Sequence, residues 1–146
     1  MEQGDWLMRH WLVKSEPDVF SFADQMAIGP QGAEWHGIRN YQARNNMRLM
    51  AVGDLAFFYH SNIGKEIVGI CQVVGTSHPD STTDDPRWDC ADIRGVKPMP
   101  RPVTLEMCKN NPALGQMVLV NNTRLSVQPV TPDEWQTICQ MGGLQD

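Results

Sequence analysis

Short apolar runs separated by polar segments are the main pattern along the chain, and most of these runs predict strands. Residues 11–14, 55–59 and 67–74 are rich in aromatic and β-branched side chains, and none of the three runs is long enough for an ordinary helix. The first run ends at Ser15-Glu16-Pro17, a sequence that disfavours continued pairing, and the polar loop 60–66 joins the other two. We therefore expect three strands, of which the last two pair with each other.

Two more strands are predicted, over 88–96 and 124–130. Prolines at positions 98, 100 and 102 lack the backbone N–H that a sheet needs. We therefore expect an extended edge or connection beyond residue 96 and no long regular ladder there. Residues 124–130 alternate between polar and apolar side chains, which is the periodicity of a strand.

Three helix starts carry capping signals. Ser21, with Asp24 three positions later, predicts a short helix over 22–27, and Thr104 begins a second helix. The third helix follows Thr131, which has proline at the first helical position and glutamate three residues after the cap. The residues spaced for one buried face of this helix are Trp135, Ile138 and Cys139.

This order of elements predicts an α+β fold. Strands separated by short helices without a regular βαβ rhythm favour a small, mostly antiparallel sheet or barrel with helices around it. The 146 residues, of which 41% are apolar and 20% charged, suit one folded domain. We expect residues 1–9 to be an N-terminal extension and residues 10–146 to be the domain. Because the chain shows no secretory signal and no run of about 18 apolar residues, we expect a cytoplasmic protein without a membrane partner.

Neither a metal site nor a cofactor is signalled by motif. The four cysteines form no Cys-x-x-Cys pair and do not cluster with the histidines, so we expect reduced, mostly buried thiols without a zinc site or disulfides. The chain contains no glycine fingerprint for a dinucleotide or phosphate, no nucleophile elbow and no zinc-binding helix motif. We expect no cofactor, and enzyme activity has no support from a motif.

The charge of the chain is segregated. A net charge of -5 argues against a protein that coats nucleic acid by bulk electrostatics. Residues 35–53 nevertheless contain no acid but include Arg39, Arg44 and Arg48, while acids concentrate in 80–92. This layout predicts a local basic face for a partner that carries phosphate. The alternative is an ordinary solvated face.

Four polar islands lie next to predicted strand ends, where loops from distant parts of the chain meet at one pocket. They are Lys14-Ser15-Glu16-Pro17, residues 35–48, Tyr59-His60-Ser61-Asn62 and residues 124–129. The second island combines a tryptophan, three arginines and three asparagines with hardly an aliphatic side chain, and we expect an irregular loop there.

Six collinear segments carry a resemblance to a known family. They are HWLVKSEPDVFS, WHGIRNYQARNNMR, GDLAFFYHSN, IVGICQVV, RPVTLEM and RLSVQPVTPDEW. In this order they resemble the EVE domain, and the resemblance covers residues 10–141, nearly the whole chain.

The resemblance implies a PUA-like fold, a compact and mostly antiparallel β-barrel flanked by short helices, related to the YTH domain that reads a methylated base in RNA. It also implies a reader that binds a modified base, notably a modified cytosine, in DNA or RNA. His36 stands where the family usually has Asp, and Asn46 stands near a position that is commonly bulky and apolar. The charge of the pocket and the identity of its ligand are therefore left open.

A pocket for a single base needs aromatic walls. Taking a base out of a strand costs a few kcal/mol of stacking and pairing, and stacking on an aromatic ring returns about 1 to 3 kcal/mol. The candidate rings are Trp35, Tyr59 and Trp88, and the alternative for each is an ordinary place in the core. We expect Trp11 and Trp135 to be core residues.

Identifying the base also needs hydrogen-bonding groups at its edge. The candidates are Ser15, Asn40, Ser61, Asn62, Ser126 and Gln128, for which a turn or cap is the alternative role. Glu16 would accept from an exocyclic amine or pair with Lys14 or Arg39. The cations expected to contact phosphate or to brace the loops are Lys14, Arg39, Arg44, Arg48 and Arg124.

Two other classes of function stay open. PUA-like barrels of the ASCH type include enzymes that hydrolyse modified nucleosides or cleave RNA, and a Lys14 amine beside the Ser15 hydroxyl would suit such a nucleophile. Against this, successive side chains of a strand point to opposite faces. The third class is a protein-interaction module, which predicts no affinity for nucleic acid at any salt concentration.

Overall fold

The computed structural model of the protein describes residues 9–122 and 124–144. The extension predicted for residues 1–9 therefore lies, apart from Arg9, outside the described residues. The described strands are β1 His10–Ser15, β2 Ala33–Glu34, β3 Leu55–His60, β4 Glu66–Pro79, β5 Asp89–Thr104 and β6 Val127–Val130. The described helices are α1 Phe22–Ile28, α2 Tyr41–Leu49, α3 Leu105–Lys109, α4 Val118–Asn121 and α5 Pro132–Met141, with a 3-10 turn at Pro112–Leu114.

The described strands form one sheet in the order β2-β5-β4-β3-β1-β6. Within this part of the chain β1 and β3 run parallel, and the other neighbours run antiparallel. The mostly antiparallel α+β fold predicted from the sequence is confirmed, and so is the pairing of β3 with β4.

The predicted barrel is wrong, because the sheet is not closed. In the described residues β2 and β6 stand at the two ends of the strand order and do not pair with each other. They are also short, with two and four residues. A barrel needs every strand to be paired along both sides, which these end strands do not provide.

The strand predicted over 88–96 continues through the prolines to Thr104, so its predicted end is wrong. The ladder itself is interrupted there, as the prolines require: Gly69 pairs with Pro98, Ile67 pairs with Val103, and residues 99–102 lie opposite Val68. Prolines at every second position remove donors along one side of the strand, and the amides between them point to the other side. Arg101 N–H uses that side to donate to Gly142 O at 3.0 Å.

The capping predictions for three helices are confirmed. Ser21 and Asp24 form a reciprocal capping box at the start of α1, and Thr131 and Glu134 form another at α5. The Thr104 side chain accepts a hydrogen bond from Met107 N–H at the start of α3. Each cap supplies a partner to backbone donors that the first helical turn cannot satisfy.

The irregular loop predicted over 35–48 is only half correct, because its second part is helix α2. The Asn40 side chain caps this helix by accepting from Ala43 N–H at 2.9 Å. Ala43 and Met47, four residues apart, are fully buried on the same helix face, and Met50 is buried just beyond it. Two apolar positions four apart therefore suffice for a docked helix in a segment dominated by polar residues.

Both faces of the sheet are covered, which gives the domain two apolar cores. Trp11 and Val13 of β1 point into the core beneath α1 and α2, while Leu12 points into the core beneath α3, α4 and α5. In β3, likewise, Phe58 belongs to the first core and Tyr59 to the second. This parity decides which predicted site residues share a surface.

Several smaller predictions are confirmed. Cys71, Cys90, Cys108 and Cys139 are all free and buried. Trp11 is buried with its indole N–H donating to Asp54 at 2.9 Å, and Trp135 packs against the second core, where it stacks on Phe57 at 3.9 Å. None of the helices in the described residues is long and apolar enough to cross a membrane.

Candidate functional site

Where β1 leaves the sheet, the described part of the chain has two adjoining cavities. The first, which we name the indole cavity, has a volume of about 700 Å³ and polar or aromatic walls that include Lys14, Ser15, Glu16, Phe20, Trp35 and Ser126. Its apolar walls include Val19, Ile28 and Ile38, and His36 lies at its edge. Cavities of this size and mixed lining are typical of small-ligand sites.

Trp35 is held rigidly at the wall of the indole cavity. It directly follows β2, and its backbone N–H donates to Ala91 O at 2.8 Å. The indole meets the Phe58 ring edge-on with centroids 5.5 Å apart, and the Phe20 ring at 6.2 Å. With 8% of its surface exposed, Trp35 belongs to the core and to the cavity at once.

The floor of the indole cavity is formed where β1 meets the loop before β6. Lys14 N–H donates to Ser126 O at 3.0 Å, and Ser15 Oγ donates to Phe20 O at 2.6 Å. The Ser15 hydroxyl is therefore engaged in fixing its own loop, which is the turn role that the sequence left open for it.

The loop that follows Trp35 is braced by a buried carboxylate, Asp80. Its Oδ2 accepts from Gly37 N–H at 2.8 Å and from Arg39 Nη1 at 3.1 Å, and its Oδ1 accepts from the Thr82 hydroxyl. Burial alone would raise the pKa of Asp80, but the hydrogen bonds from Thr82, Gly37 and Arg39 outweigh it and hold the pKa well below its usual value. Asp80 thus stays ionised and fixes the mouth of the cavity.

The second cavity, which we name the lysine cavity, has a volume of about 510 Å³. Its polar walls are Lys14, Glu16, Tyr59, Ser61, Asn62, Lys65 and Lys109. The Lys14 ammonium lies 5.6 Å from the centre of the Tyr59 ring, and burial lowers the pKa of Lys14 to about 8. Asn62 and Lys65 have φ angles of 70° and 51°, a conformation that is uncommon for residues other than glycine and is often found at functional loops.

The structure divides the predicted base-pocket residues between these cavities. Ser15, Trp35 and Ser126 line the indole cavity, whereas Tyr59, Ser61 and Asn62 line the lysine cavity. Lys14 and Glu16 line both. Trp35 and Tyr59 belong to cores on opposite faces of the sheet, so their rings do not form the two walls of one base pocket.

Asn40, Trp88 and Gln128 line neither cavity. Asn40 caps α2, as described above. The Gln128 side chain is buried and donates to Leu125 O at 2.8 Å. Trp88 stacks on the Tyr41 ring with centroids 5.1 Å apart, in a surface cluster with arginines. Asn40 and Gln128 therefore have structural roles, which the sequence left open as the alternative to contact with a base.

The arginines of the basic segment all have partners within the protein. Arg39 pairs with Asp80, and Arg48 Nε donates to Asp89 at 2.5 Å. Arg44 donates to Arg87 O at 3.0 Å and lies over the Tyr41 ring. These contacts join the segment 35–48 to the acidic segment 80–92, so the bracing role is observed for all three arginines. Arg124 is exposed in the turn before β6.

Sequence reasoning missed several residues that the structure brings to these cavities. Phe20 is the second ring of the indole cavity, Lys65 and Lys109 supply two cations to the lysine cavity, and Asp80 braces the loop. The concentration of acids in 80–92 is visible in the sequence, but its bracing role is not. Nothing in the local sequence marks Phe20 or Lys109. Phe20 is positioned by the turn after β1, where its N–H donates to Glu16 O at 2.9 Å, and Lys109 is positioned by the packing of α3.

One group in the described residues has donor atoms suited to a metal ion: Glu34, His78 and Cys90. Burial, followed by the charges of Glu34, Asp80, Asp92 and Asp89, raises the pKa of the Cys90 thiol to about 12. His78 Nε2 lies 2.8 Å from Asp92 Oδ1, and the hydrogen bond from the imidazole to this carboxylate raises the pKa of His78. This group lies on the β2-β5-β4 part of the sheet.

Comparison with known proteins agrees with the resemblance found in the sequence. The EVE domain model matches residues 9–141. Thymocyte nuclear protein 1 of Mus musculus is 37% identical over an alignment of 170 residues, which covers 94% of this chain and 75% of that protein.

Solved structures give the same result. A crystal structure of a protein from Agrobacterium tumefaciens is 57% identical with a TM-score of 0.92, and the match covers 93% of this chain and 94% of that one. Human THYN1 protein, in complex with DNA containing 5-methylcytosine, is 34% identical with a TM-score of 0.86 and coverage of 94% and 99%. An ASCH protein from Zymomonas mobilis, at 12% identity and a TM-score of 0.58, shares the fold alone, with coverage of 91% and 98%. By the family match and by these relatives, the chain belongs to the EVE domain family.

Proposed function

We propose that this protein is a non-enzymatic reader that holds a modified cytosine, within a nucleic acid strand, in the indole cavity. The observation that carries the proposal is a rigid indole beside hydrogen-bonding groups in a cavity of about 700 Å³. The human relative in complex with 5-methylcytosine-containing DNA supports the choice of base and of DNA.

The walls of the indole cavity are suited to a flat, polar-edged ligand. Trp35 and Phe20 meet at an angle of 75°, so one ring supports the face of a base while the other meets its edge. Stacking on one ring contributes about 1 to 3 kcal/mol, comparable to the few kcal/mol lost when a base leaves its stack. Contacts at the base edge and at the phosphates then supply the net affinity.

Discrimination of the modification follows from the apolar part of the lining. Val19, Ile28 and Ile38 provide a surface on which an added methyl group leaves water. Burial of one methyl group contributes about 0.8 kcal/mol, which is roughly a fourfold preference. His36, in place of the family's usual Asp, offers a donor as well as an acceptor to the cavity, so a substituent that accepts a hydrogen bond fits this chain better than a chain with Asp.

The phosphates of the same strand are assigned to the lysine cavity. Lys14 lines both cavities, and Lys65 and Lys109 add positive charge next to the proposed base site. The side chains of Lys14, Lys65 and Lys109 line one cavity beside the proposed base site, and this concentration of positive charge suits them to phosphate contacts.

The hydrolase alternative receives no comparable support. It needs Lys14 to activate the Ser15 hydroxyl, but that hydroxyl donates to Phe20 O at 2.6 Å. The Lys14 ammonium lies over the Tyr59 ring, on the face of β3 that belongs to the second core. Incubation with modified nucleosides, followed by mass spectrometry, is expected to return them unchanged.

The direct test is the binding of single-stranded DNA and RNA oligonucleotides that carry one 5-methylcytosine or one cytosine. Trp35→Leu keeps apolar bulk but removes the stacking surface, so it is expected to weaken binding of the methylated DNA by about 5- to 150-fold. Trp135→Leu, a matched change on the opposite face of the sheet, is expected to leave the affinity unchanged.

Thermal unfolding of both variants checks that they fold, and Phe20→Leu provides a second change in the same cavity. Equal binding of methylated and unmethylated strands by the wild type would contradict recognition of the modification. Tighter binding of the RNA than of the DNA would overturn the choice of DNA but not the recognition of a modified base.

A further inference from the structure

Pairing between strands brings four side chains with possible metal-ligand atoms to one face of the sheet. His78 of β4 lies opposite Cys90 of β5, and Glu34 of β2 lies opposite Asp92 of β5. Cys90 and Asp92 are two residues apart and therefore share a face, as do side chains that lie directly opposite each other. Three separate strands thus contribute to one group.

The distances within this group are close to those of a metal site. Donor atoms of Glu34, His78 and Cys90 all lie within 4.8 Å of one another, and both ring nitrogens of His78 lie 3.9 Å from Cys90 Sγ. A tetrahedral zinc ion with bonds of about 2.0 to 2.3 Å places its ligand atoms roughly 3.5 Å apart. Small side-chain rotations therefore bring these atoms to a common ion.

The surrounding contacts also suit a bound cation. His78 Nε2 lies 2.8 Å from Asp92 Oδ1, so this carboxylate holds the imidazole in the way that metal-ligating histidines are usually oriented. The nitrogen left for the metal is Nδ1, which lies 3.2 Å from Pro79 O and exchanges that contact for the metal bond. Ser81 Oγ donates to Glu34 Oε1 at 2.6 Å, which steadies that carboxylate and leaves its other oxygen for a ligand bond. Cys90 is fully buried, yet carboxylates of Glu34, Asp92 and neighbouring residues surround it.

We propose that Glu34, His78 and Cys90 bind one zinc ion, with Asp92 as the carboxylate that orients His78. A thiolate, an imidazole and a carboxylate are the ligands that zinc uses, whereas magnesium and calcium prefer oxygen ligands throughout. The ion joins β2 to β5 and β4. Because Glu34 directly precedes Trp35, it also fixes the strand that carries the wall of the indole cavity. The proposal does not depend on what that cavity binds.

This site escapes the sequence motifs for zinc because its ligands are 44 and 12 positions apart along the chain, as the differences 78 minus 34 and 90 minus 78 show. Structural zinc motifs have cysteine and histidine pairs only a few residues apart. The register of the sheet, and not local spacing, brings these three together.

Cobalt(II) titration of the reduced, metal-stripped protein tests the proposal, because a thiolate ligand gives a sulfur-to-cobalt charge-transfer band. We expect one equivalent to bind with this band and to be displaced by zinc. Cys90→Ser is expected to abolish the band, while Cys139→Ser, a change at another buried thiol, is expected to retain it. Asp92→Asn is expected to weaken binding by about 10- to 100-fold.

Cys90 is buried, so Cys90→Ser could lose metal binding merely by misfolding. His78→Asn tests the same site at a side chain that is about one third exposed, where a folding defect is not expected. It is expected to weaken cobalt binding at least tenfold while the thermal unfolding midpoint of the metal-free protein stays near that of the wild type. Absence of the charge-transfer band in the wild type overturns the proposal. So does a band that persists in Cys90→Ser, or an unchanged affinity in His78→Asn.

Discussion

At the scale of single residues, the alternation of side chains between the two faces of a strand decides which core or cavity each side chain joins. Phe58 and Tyr59 are neighbours in the sequence, but Phe58 supports Trp35 while Tyr59 faces Lys14 on the other side of the sheet. Lys14 is exceptional because it stands at the end of β1, where both cavities open. Its charge therefore faces both cavities.

The lowered pKa of Lys14 predicts a pH dependence. Burial lowers this pKa from its usual 10.5 to about 8, so Lys14 is mostly charged below pH 8 and loses its charge as the pH rises through that value. We expect the affinity for single-stranded DNA to fall between about pH 7 and about pH 9 as this phosphate contact is lost. The slope of log K against log salt should become less steep by about 0.7, the contribution of one cation to single-strand binding.

Lys14→Arg provides the control, because an arginine keeps its charge over this range. Its affinity and salt slope are expected to be the same at both pH values. A wild type whose salt slope does not change with pH would exclude Lys14 from the phosphate contacts.

At the scale of elements, the helices show which structures local sequence patterns predict and which they do not. The capping boxes of α1 and α5 could be predicted, since each is a local pattern of a hydroxyl and an acid three residues apart. Helix α2 was missed because its cap, Asn40, has no acid three residues later and its buried face is reduced to Ala43 and Met47. What holds it is tertiary: Asn46 donates to Val127 O at 2.7 Å, and arginines on either side pair with the acidic segment.

Asn40 separates a capping role from base recognition. Asn40→Ala removes the acceptor for Ala43 N–H and is expected to lower the free energy of unfolding by about 1 kcal/mol. Asn40→Asp keeps the acceptor and adds a favourable negative charge at the start of the helix, so it should unfold like the wild type in denaturant titrations. Because Asn40 lines neither cavity, both folded variants should still prefer methylated DNA. If Asn40→Asp lost the preference for methylated DNA, Asn40 would have to contribute to base recognition.

At the scale of the whole molecule, one open sheet with a core on each face explains why the candidate site could be predicted only in part. The sequence predicts that the polar islands meet in one pocket, but the structure divides them between two adjoining cavities where β1 ends. That division depends on strand order and register, which local patterns do not contain. For the same reason, local patterns could not show that Arg39 and Arg48 pair with acids that are distant in the chain.

Entry of the base into the indole cavity can be followed through the NMR signals of the tryptophan indole N–H groups. The chain has five tryptophans, and single Trp→Phe variants would assign their indole signals. On titration with single-stranded DNA containing one 5-methylcytosine, we expect a large shift of the Trp35 signal and little change for Trp11 and Trp135. A Trp35 signal that stays unchanged at saturation would show that the base binds elsewhere.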